Sequence, residues 1–249
     1  MTSQNKKDFL RLFRKFQKAR EIYYKPKIQK ILQDQVNQYL HHNDLSSIDF
    51  KPMFNFLASL YKDVATVWGH KVQLSIKRQA KSRQPIGFSE RLFEILKQYY
   101  GIDLLQDSMD ITQTTKDFIQ KILTDAAKTG IGIDEIVKQI TAHDFTDIRA
   151  RTIARTETVR ASNIAGDIIA RESGLKMNKE WLAVLDARTR SDHIEVHGTI
   201  VDQDATFTVG GYQMKFPGDG SGGAGAELIV NCRCVCVYIP KRSDSGALL

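Results

Sequence analysis

Residues 146–172 read TDIRARTIARTETVRASNIAGDIIARE, and this stretch decides the fold. Ala150, Ile153, Ala154, Ala161, Ile164, Ala165 and Ile168 recur at steps of three and four, which keeps them on one face of an α-helix. That face is largely alanine, so a neighbouring element can approach its backbone closely. Glu157 stands in the same stripe, three or four residues from Ile153, Ala154, Ala161 and Ile164. A carboxylate among apolar side chains wants a cation, because an unpaired buried charge costs several kcal/mol. The expectation is an arginine from elsewhere in the chain.

After Gly174 the texture changes. Residues 181–185, 199–201, 206–209, 212–216 and 234–239 are short, β-branched or aromatic runs separated by turn residues, the pattern of a small sheet. Residues 210–225, GGYQMKFPGDGSGGAG, hold seven of the sixteen glycines and read as a mobile loop. The lysine and hydroxyl of a phosphate-binding P-loop are missing there, which argues against a nucleotide site.

Upstream of residue 146 everything reads as helix. Residues 4–40 form one long amphipathic helix, or two meeting near Pro26. Four further helices follow from the spacing of Phe54, Leu57, Tyr61, Val64 and Trp68; of Phe88, Leu92, Ile95 and Tyr99; of Ile111, Phe118, Ile119 and Ile122; and of Ile133, Ile136, Val137 and Ile140. Breaks are expected at Asn43–Asp44, Gln84–Pro85, Gly101 and residues 129–132. The predicted class is α+β: a mostly helical amino-terminal region followed by a small domain with a long helix and a short-stranded β-sheet.

The chain has 249 residues and a net charge of +7, with 42 % hydrophobic and 26 % charged residues, which excludes collagenous, disulfide-stapled and wholly disordered classes. No apolar run approaches the roughly 20 residues of a membrane span, and the start MTSQNKKDFL lacks the apolar core of a secretory signal. A cytosolic beginning and no membrane contact are expected. Residues 1–30 alone carry +8, from Lys6, Lys7, Arg11, Arg14, Lys15, Lys18, Arg20, Lys25, Lys27 and Lys30 against Asp8 and Glu21. A second basic run comprises Lys71, Lys77, Arg78, Lys81 and Arg83. Such patches give salt-dependent, sequence-independent affinity for phosphate backbones, and a lysine-rich helix face is also often only solvated. Phe9, Phe13, Phe16 and Tyr23 interleave with the basic residues at helical spacing and are expected in the core rather than stacked on bases.

Asp186, Arg188 and Arg190 alternate in DARTRSDH (186–193), so an extended segment projects them to one side. One arginine is expected on Glu157, the other on Asp186, on a helix terminus or on a partner. His193 and His197 stand four apart, and Cys232, Cys234 and Cys236 alternate near the end of the chain, their sulfurs on one side. Two His and two Cys suffice for a tetrahedral zinc site on His193, His197, Cys232 and Cys234, and alternating cysteines serve equally as small core residues. No other cofactor is called for. Three cysteines within five residues are too close and too odd in number to staple a fold, which suits a reducing compartment. No nucleophile elbow, H-E-x-x-H or paired-carboxylate spacing imposes a reaction.

Taken together, ARTIARTETVRASNIAG (150–166), Trp181, DARTRSDH with Gly198, FPGD (216–219) and NCRC (231–234) resemble the phage Mu F-like head morphogenesis family, minor capsid proteins of tailed bacteriophages. The resemblance covers roughly residues 130–240 and implies a domain at 126–240, after a helical extension at 1–125 with a basic arm at 1–40 and before a polar tail at 241–249. It implies a non-catalytic structural role for Arg155, Thr156, Glu157, Asn163, Trp181, Asp186, Arg188, Arg190, His193, Cys232 and Cys234. It further implies incorporation into the virion, in the capsid interior, after synthesis in the host bacterial cytoplasm. The implied partners are the portal protein, scaffold or capsid proteins and non-specific double-stranded DNA. Relatives of such domains are fused to toxin modules, whereas only KRSDSGALL follows Pro240 here. The rival reading is a metal-dependent nuclease or other nucleic-acid-processing enzyme using His193, His197 and the cysteines.

Overall fold

Apolar periodicity near 3.6 residues carries the first helix, α1 (Ser3–His42), without a break. The structure is a computed structural model describing residues 2–81 and 91–249, with side chains for all of these except 91–100, 102, 143 and 144. Pro26 lies inside α1 rather than between two helices. It is exposed, as is Ile22, so the carbonyl deprived of its helical bond faces water instead of the core. The chain continues through a 3₁₀ turn (Leu45–Ser47), α2 (Lys51–Ala80), α3 (Arg91–Thr129), α4 (Ile133–Ile140) and α5 (His143–Glu172). It then forms β1 (Met177–Leu182), α6 (Ser191–Glu195), β2 (Ile200–Asp202), β3 (Phe207–Val209), β4 (Tyr212–Met214), α7 (Ala226–Ile229) and β5 (Val235–Pro240). The fold is α+β, as predicted.

Two of the expected helices are one. α3 runs straight through Gly101, where glycine costs only about 1 kcal/mol relative to alanine and surrounding helical residues carry the segment. The expected break at Gln84–Pro85, and with it Arg83 and Phe88, lies outside the described residues, as do the side chains of Leu92, Ile95 and Tyr99. The breaks at residues 43–44 and 129–132 are present: Asn43 (φ 50°) and Gly130 (φ 71°) adopt the left-handed conformation that ends a helix.

The chain divides into two compact units, each assembled from separated segments drawn from both sides of residue 125. One comprises residues 22–59 and 96–154. Its core is Val36, Tyr39, Ile48, Ile119 and Ile140, with Phe118 stacked on Phe145 at 3.5 Å. A buried polar knot crosses it: Gln35 donates to Thr112 Oγ1 (2.9 Å) and accepts from Thr115 (3.1 Å), while Arg149 donates to the Ile111 carbonyl at 2.9 Å. Burial pulls the Arg149 guanidinium down to about 10.

The other unit comprises residues 1–21, 60–95 and 155–249. Trp68, fully buried, receives Phe9, Phe13 and Phe16 at ring separations of 5.3, 5.0 and 5.2 Å. The residues read as a basic arm are therefore the first part of a packed helix. Tyr23 is the exception among the aromatic expectations: it is 51 % exposed and Tyr24 is buried instead. Tyr24 meets Phe56 edge-on at 5.8 Å, whereas Tyr23 lies under Lys27 at the surface.

In the sheet of this unit β1 is central, antiparallel to β2 on one side and β5 on the other. The small face of α5 meets it: a Cβ at Gly166 would stand 3.0 Å from the Tyr238 ring and 3.7 Å from Val72. β3 and β4 pair separately as a hairpin whose two-residue loop, Gly210–Gly211, has φ of 56° and 85°, the signature of a type I′ turn. The glycine-rich segment is not a free loop. Phe216, Asp219, Ala224 and Leu228 are buried, Asp219 accepts from the Lys215 and Ser221 amides (2.7 and 3.0 Å), and Gly222 abuts the Gln213 carbonyl.

Candidate functional site

α5 enters the second unit at Arg155, and the residues that follow tie it to three other elements. Arg155 forks onto Glu21 of α1, Nε to Oε2 at 3.0 Å and Nη2 to Oε1 at 3.1 Å, and its Nη1 donates to Asn231 Oδ1 at 3.3 Å. Thr156 Oγ1 accepts from the Asn231 amide at 3.0 Å. Burial pushes Glu21 up, but the hydrogen bonds and charges of Arg155 and Lys18 outweigh it and hold the carboxyl below its ordinary range. Glu157, buried as expected, accepts from the Tyr61 hydroxyl of α2 at 2.8 Å. Neither arginine of 186–193 serves it. Arg188 reaches Asp186 at 3.5 Å, and Arg190 donates to the Val230 carbonyl, at the end of α7, at 2.7 Å.

About two turns further along α5, Asn163 substitutes for a missing strand. Its Oδ1 accepts from the Cys236 amide (2.8 Å) and its Nδ2 donates to the Cys234 carbonyl (3.2 Å), satisfying the edge of β5 turned away from β1.

Residues 186–190 are not extended. Asp186 and Thr189 close a turn, with Thr189 N to Asp186 O at 2.9 Å and Arg188 N to Asp186 Oδ1 at 3.0 Å, so the three charged side chains no longer share a side. The carboxylate of Asp186 receives both Nη atoms of Arg233, at 2.6 and 2.7 Å. Those hydrogen bonds, with the Arg188 amide, hold Asp186 far below its usual range. Sequence reasoning passed over Arg233 and Glu21. The available signal was the position of Arg233 inside NCRC and the isolation of Glu21 among basic neighbours.

The same turn delivers His193, on α6, into the interior, 2 % exposed and edge-on to Trp181 of β1 at 5.6 Å. His193 Nδ1 lies 3.3 Å from Cys234 Sγ and 3.8 Å from Cys232 Sγ, and the Cys234 amide donates to Cys232 Sγ at 3.4 Å. A hydrogen bond from the Cys234 thiol, against burial, holds Cys232 well below the ordinary thiol range; the same contact, with burial, drives Cys234 well above it. Among the described residues these three form the one group of His, Cys and carboxylate ligand atoms gathered closely enough to hold a metal ion. His197 is not with them: its Nδ1 accepts from the Ala183 amide at 3.0 Å, fixing the end of β1. Cys236 also stands outside the group, opposite Trp181 in the β1–β5 register.

On the first part of α1, Lys7, Arg11, Arg14, Lys15 and Lys18 are exposed and fall within a sector of about 100°, opposite the Phe9–Phe13–Phe16 stripe. Arg11 and Lys18 pair with Asp8 and Glu21, whereas Lys6 pairs with Glu180 and Arg20 with Asp63. Lys7, Arg14 and Lys15 have no acidic partner among the described residues. In the first unit Lys25 pairs with Asp147, Lys27 covers the Tyr23 ring at 3.7 Å, and Lys30 is exposed.

Residues 117–237 match the family described as Phage Mu protein F like protein. This part of the chain, just under half of it, is similar to that family. The chain is also 37 % identical over 95 residues to Minor head protein GP7 of Bacillus phage SPP1, a match covering 36 % of this chain and 30 % of that protein. It is 38 % identical over 94 residues to NAD(+)–arginine ADP-ribosyltransferase EFV of Enterococcus faecalis, covering 36 % of this chain and 19 % of that protein. A longer, weaker match is to Uncharacterized protein YqbB of Bacillus subtilis, 25 % identical over 213 residues, covering 79 % of this chain and 64 % of that one. The chain thus spans less than two thirds of each of these relatives. No solved structure matches it. No helix among the described residues is long and apolar enough to cross a membrane.

Proposed function

We propose that this chain is a minor head protein of a tailed bacteriophage, acting without catalysis in head morphogenesis and carried into the capsid interior with the portal. The observation that carries this reading is the family match over residues 117–237, alongside the similarity to a protein named as a minor head protein. The motif residues support it, because several of them are spent on bonds within the same chain: Arg155 on Glu21, Thr156 on Asn231, Asn163 on β5, Arg190 on the end of α7. A scissile phosphate would need access to His193 and the cysteines, which are each 2 % exposed, so the nuclease reading finds no support in them. The similarity to an ADP-ribosyltransferase covers a fifth of that protein and lends this chain no transferase activity.

We propose contact with packaged DNA through the basic face of α1, where Lys7, Arg14 and Lys15 are exposed and have no acidic partner among the described residues. The experiment is to assemble procapsids in cells expressing this chain, portal, scaffold and major capsid protein, purify them by gradient and quantify the chain by mass spectrometry. A few copies per particle, lost when portal is omitted, is the expected result. Particles that exclude the chain when it is abundant in the cell would overturn the reading.

A further inference from the structure

We propose that His193, Cys232 and Cys234 bind one structural Zn²⁺, through His193 Nδ1 and two thiolates. The three ligand atoms lie within 4.8 Å of one another and all three residues are buried. Zinc holds nitrogen at about 2.0–2.1 Å and sulfur at about 2.3 Å, which at a tetrahedral angle separates the two by about 3.6 Å. The observed separations, 3.3 and 3.8 Å, straddle that value. The amide of Cys234, aimed at Cys232 Sγ, supplies the N–H donor that a metal-bound thiolate accepts.

The alternative, a core of inert thiols, accounts poorly for the imidazole. His193 is 2 % exposed, its Nε2 has no hydrogen-bond partner among the described residues, and its Nδ1 has only sulfur, a weak partner. A histidine so placed loses its hydration for little return unless a cation sits between Nδ1 and the sulfurs. Charge balance favours the same conclusion. Two thiolates and a neutral imidazole around Zn²⁺ sum to zero, as a buried site requires, and the two thiol protons pass to solvent on binding. The donor set selects a soft or borderline ion over calcium or magnesium. The ion would pin α6 to the turn leading into β5, and the fourth position goes to a ligand from outside this set.

The test uses the full-length chain, purified without chelator from zinc-supplemented cells and examined by native mass spectrometry. Anaerobic reconstitution of the stripped protein with Co²⁺ follows. The expected result is one zinc per chain and, with cobalt, thiolate charge-transfer absorption together with the intense visible bands of a four-coordinate ion. Cys232→Ser, Cys234→Ser and His193→Gln should each lose both signatures, whereas Cys236→Ser and His197→Gln keep them. Wild-type protein that carries no zinc and gives no four-coordinate cobalt spectrum overturns the proposal, whether or not the ligand variants fold. So does a Cys232–Cys234 disulfide in freshly isolated protein, or metal retained in Cys234→Ser.

Discussion

Removing the ion pair between Glu21 and Arg155 tests how the second unit is held together. The side chains are 5 % and 21 % exposed, placing the pair between a solvated ion pair, worth about 0.2–1 kcal/mol, and a fully buried one, whose rupture costs about 3–5. Its geometry is the bidentate fork that makes arginine–carboxylate bonds strong. In Glu21→Ala, Arg155 keeps only its bond to Asn231; in Arg155→Ala, Glu21 keeps only Lys18, which is 64 % exposed. Each single change should destabilise by about 3 kcal/mol, lowering Tm by roughly 6–12 °C in a chain of this length. The double mutant should cost less than the two singles combined, leaving a coupling energy of about 2 kcal/mol. Urea unfolding of the four proteins, followed by circular dichroism, measures it. Because the pair is shielded from solvent, the coupling should survive about 0.5 M salt. A coupling under about 0.5 kcal/mol, or one that disappears in salt, would refute the reasoning.

Acid should weaken the fold through the same carboxylates. Glu21 and Asp186 are depressed below their ordinary values of 4.5 and 3.8, so their stabilisation is complete above those values and is lost as pH falls through the lower folded-state values. The urea midpoint should fall on acidification through that window, and less steeply in Glu21→Gln; a flat wild-type profile contradicts the assignment. Gly222→Ala would drive a Cβ into the Gln213 carbonyl oxygen and should cost more than about 2 kcal/mol, while Gly211→Ala, with φ 85° but open space, should cost about 1. The reverse ranking in thermal melts would show the loop to be unpacked. Replacing Lys7, Arg14 and Lys15 together by Gln should weaken DNA binding and reduce its salt slope by about 2.7, at about 0.9 per phosphate contact, with Tm unchanged. An unaltered slope would remove DNA from the role of this face.

The helices and strands could be read in advance because each repeats its own burial period. α5 and the short strands lie within a few residues of their expected places. Pro26 and Gly101 could not be read the same way. A breaker acts only when no other satisfaction exists for the backbone it frees, and Pro26 faces water. Partner choice was the least legible feature. The apolar stripe correctly buried Glu157, but a tyrosine of α2 reaches it, while the forked arginine two residues earlier, Arg155, binds Glu21. Burial is written in periodicity; pairing depends on where distant turns aim side chains. The turn at Asp186 redirects Arg188 and Arg190 and brings His193 to the cysteines, whereas His197, at helical spacing from His193, is carried out to the end of β1.

The basic amino-terminal segment shows why composition alone misjudges mechanics. Its excess charge suggests an arm that could be cut away, yet Phe9, Phe13 and Phe16 enclose Trp68, and Lys6 reaches Glu180 on β1 at 2.6 Å. Removing residues 1–30 would expose that tryptophan and strip Arg155 of Glu21, so loss of DNA binding in such a truncation would report unfolding. The free charges are instead fixed to a helix whose opposite face is the core of its unit. A polyanion meeting them would encounter a rigid row with about 5.4 Å between successive turns of the helix, a spacing that no ordering of the protein need first create. Substitution on the solvent face therefore separates electrostatics from folding, which truncation cannot do.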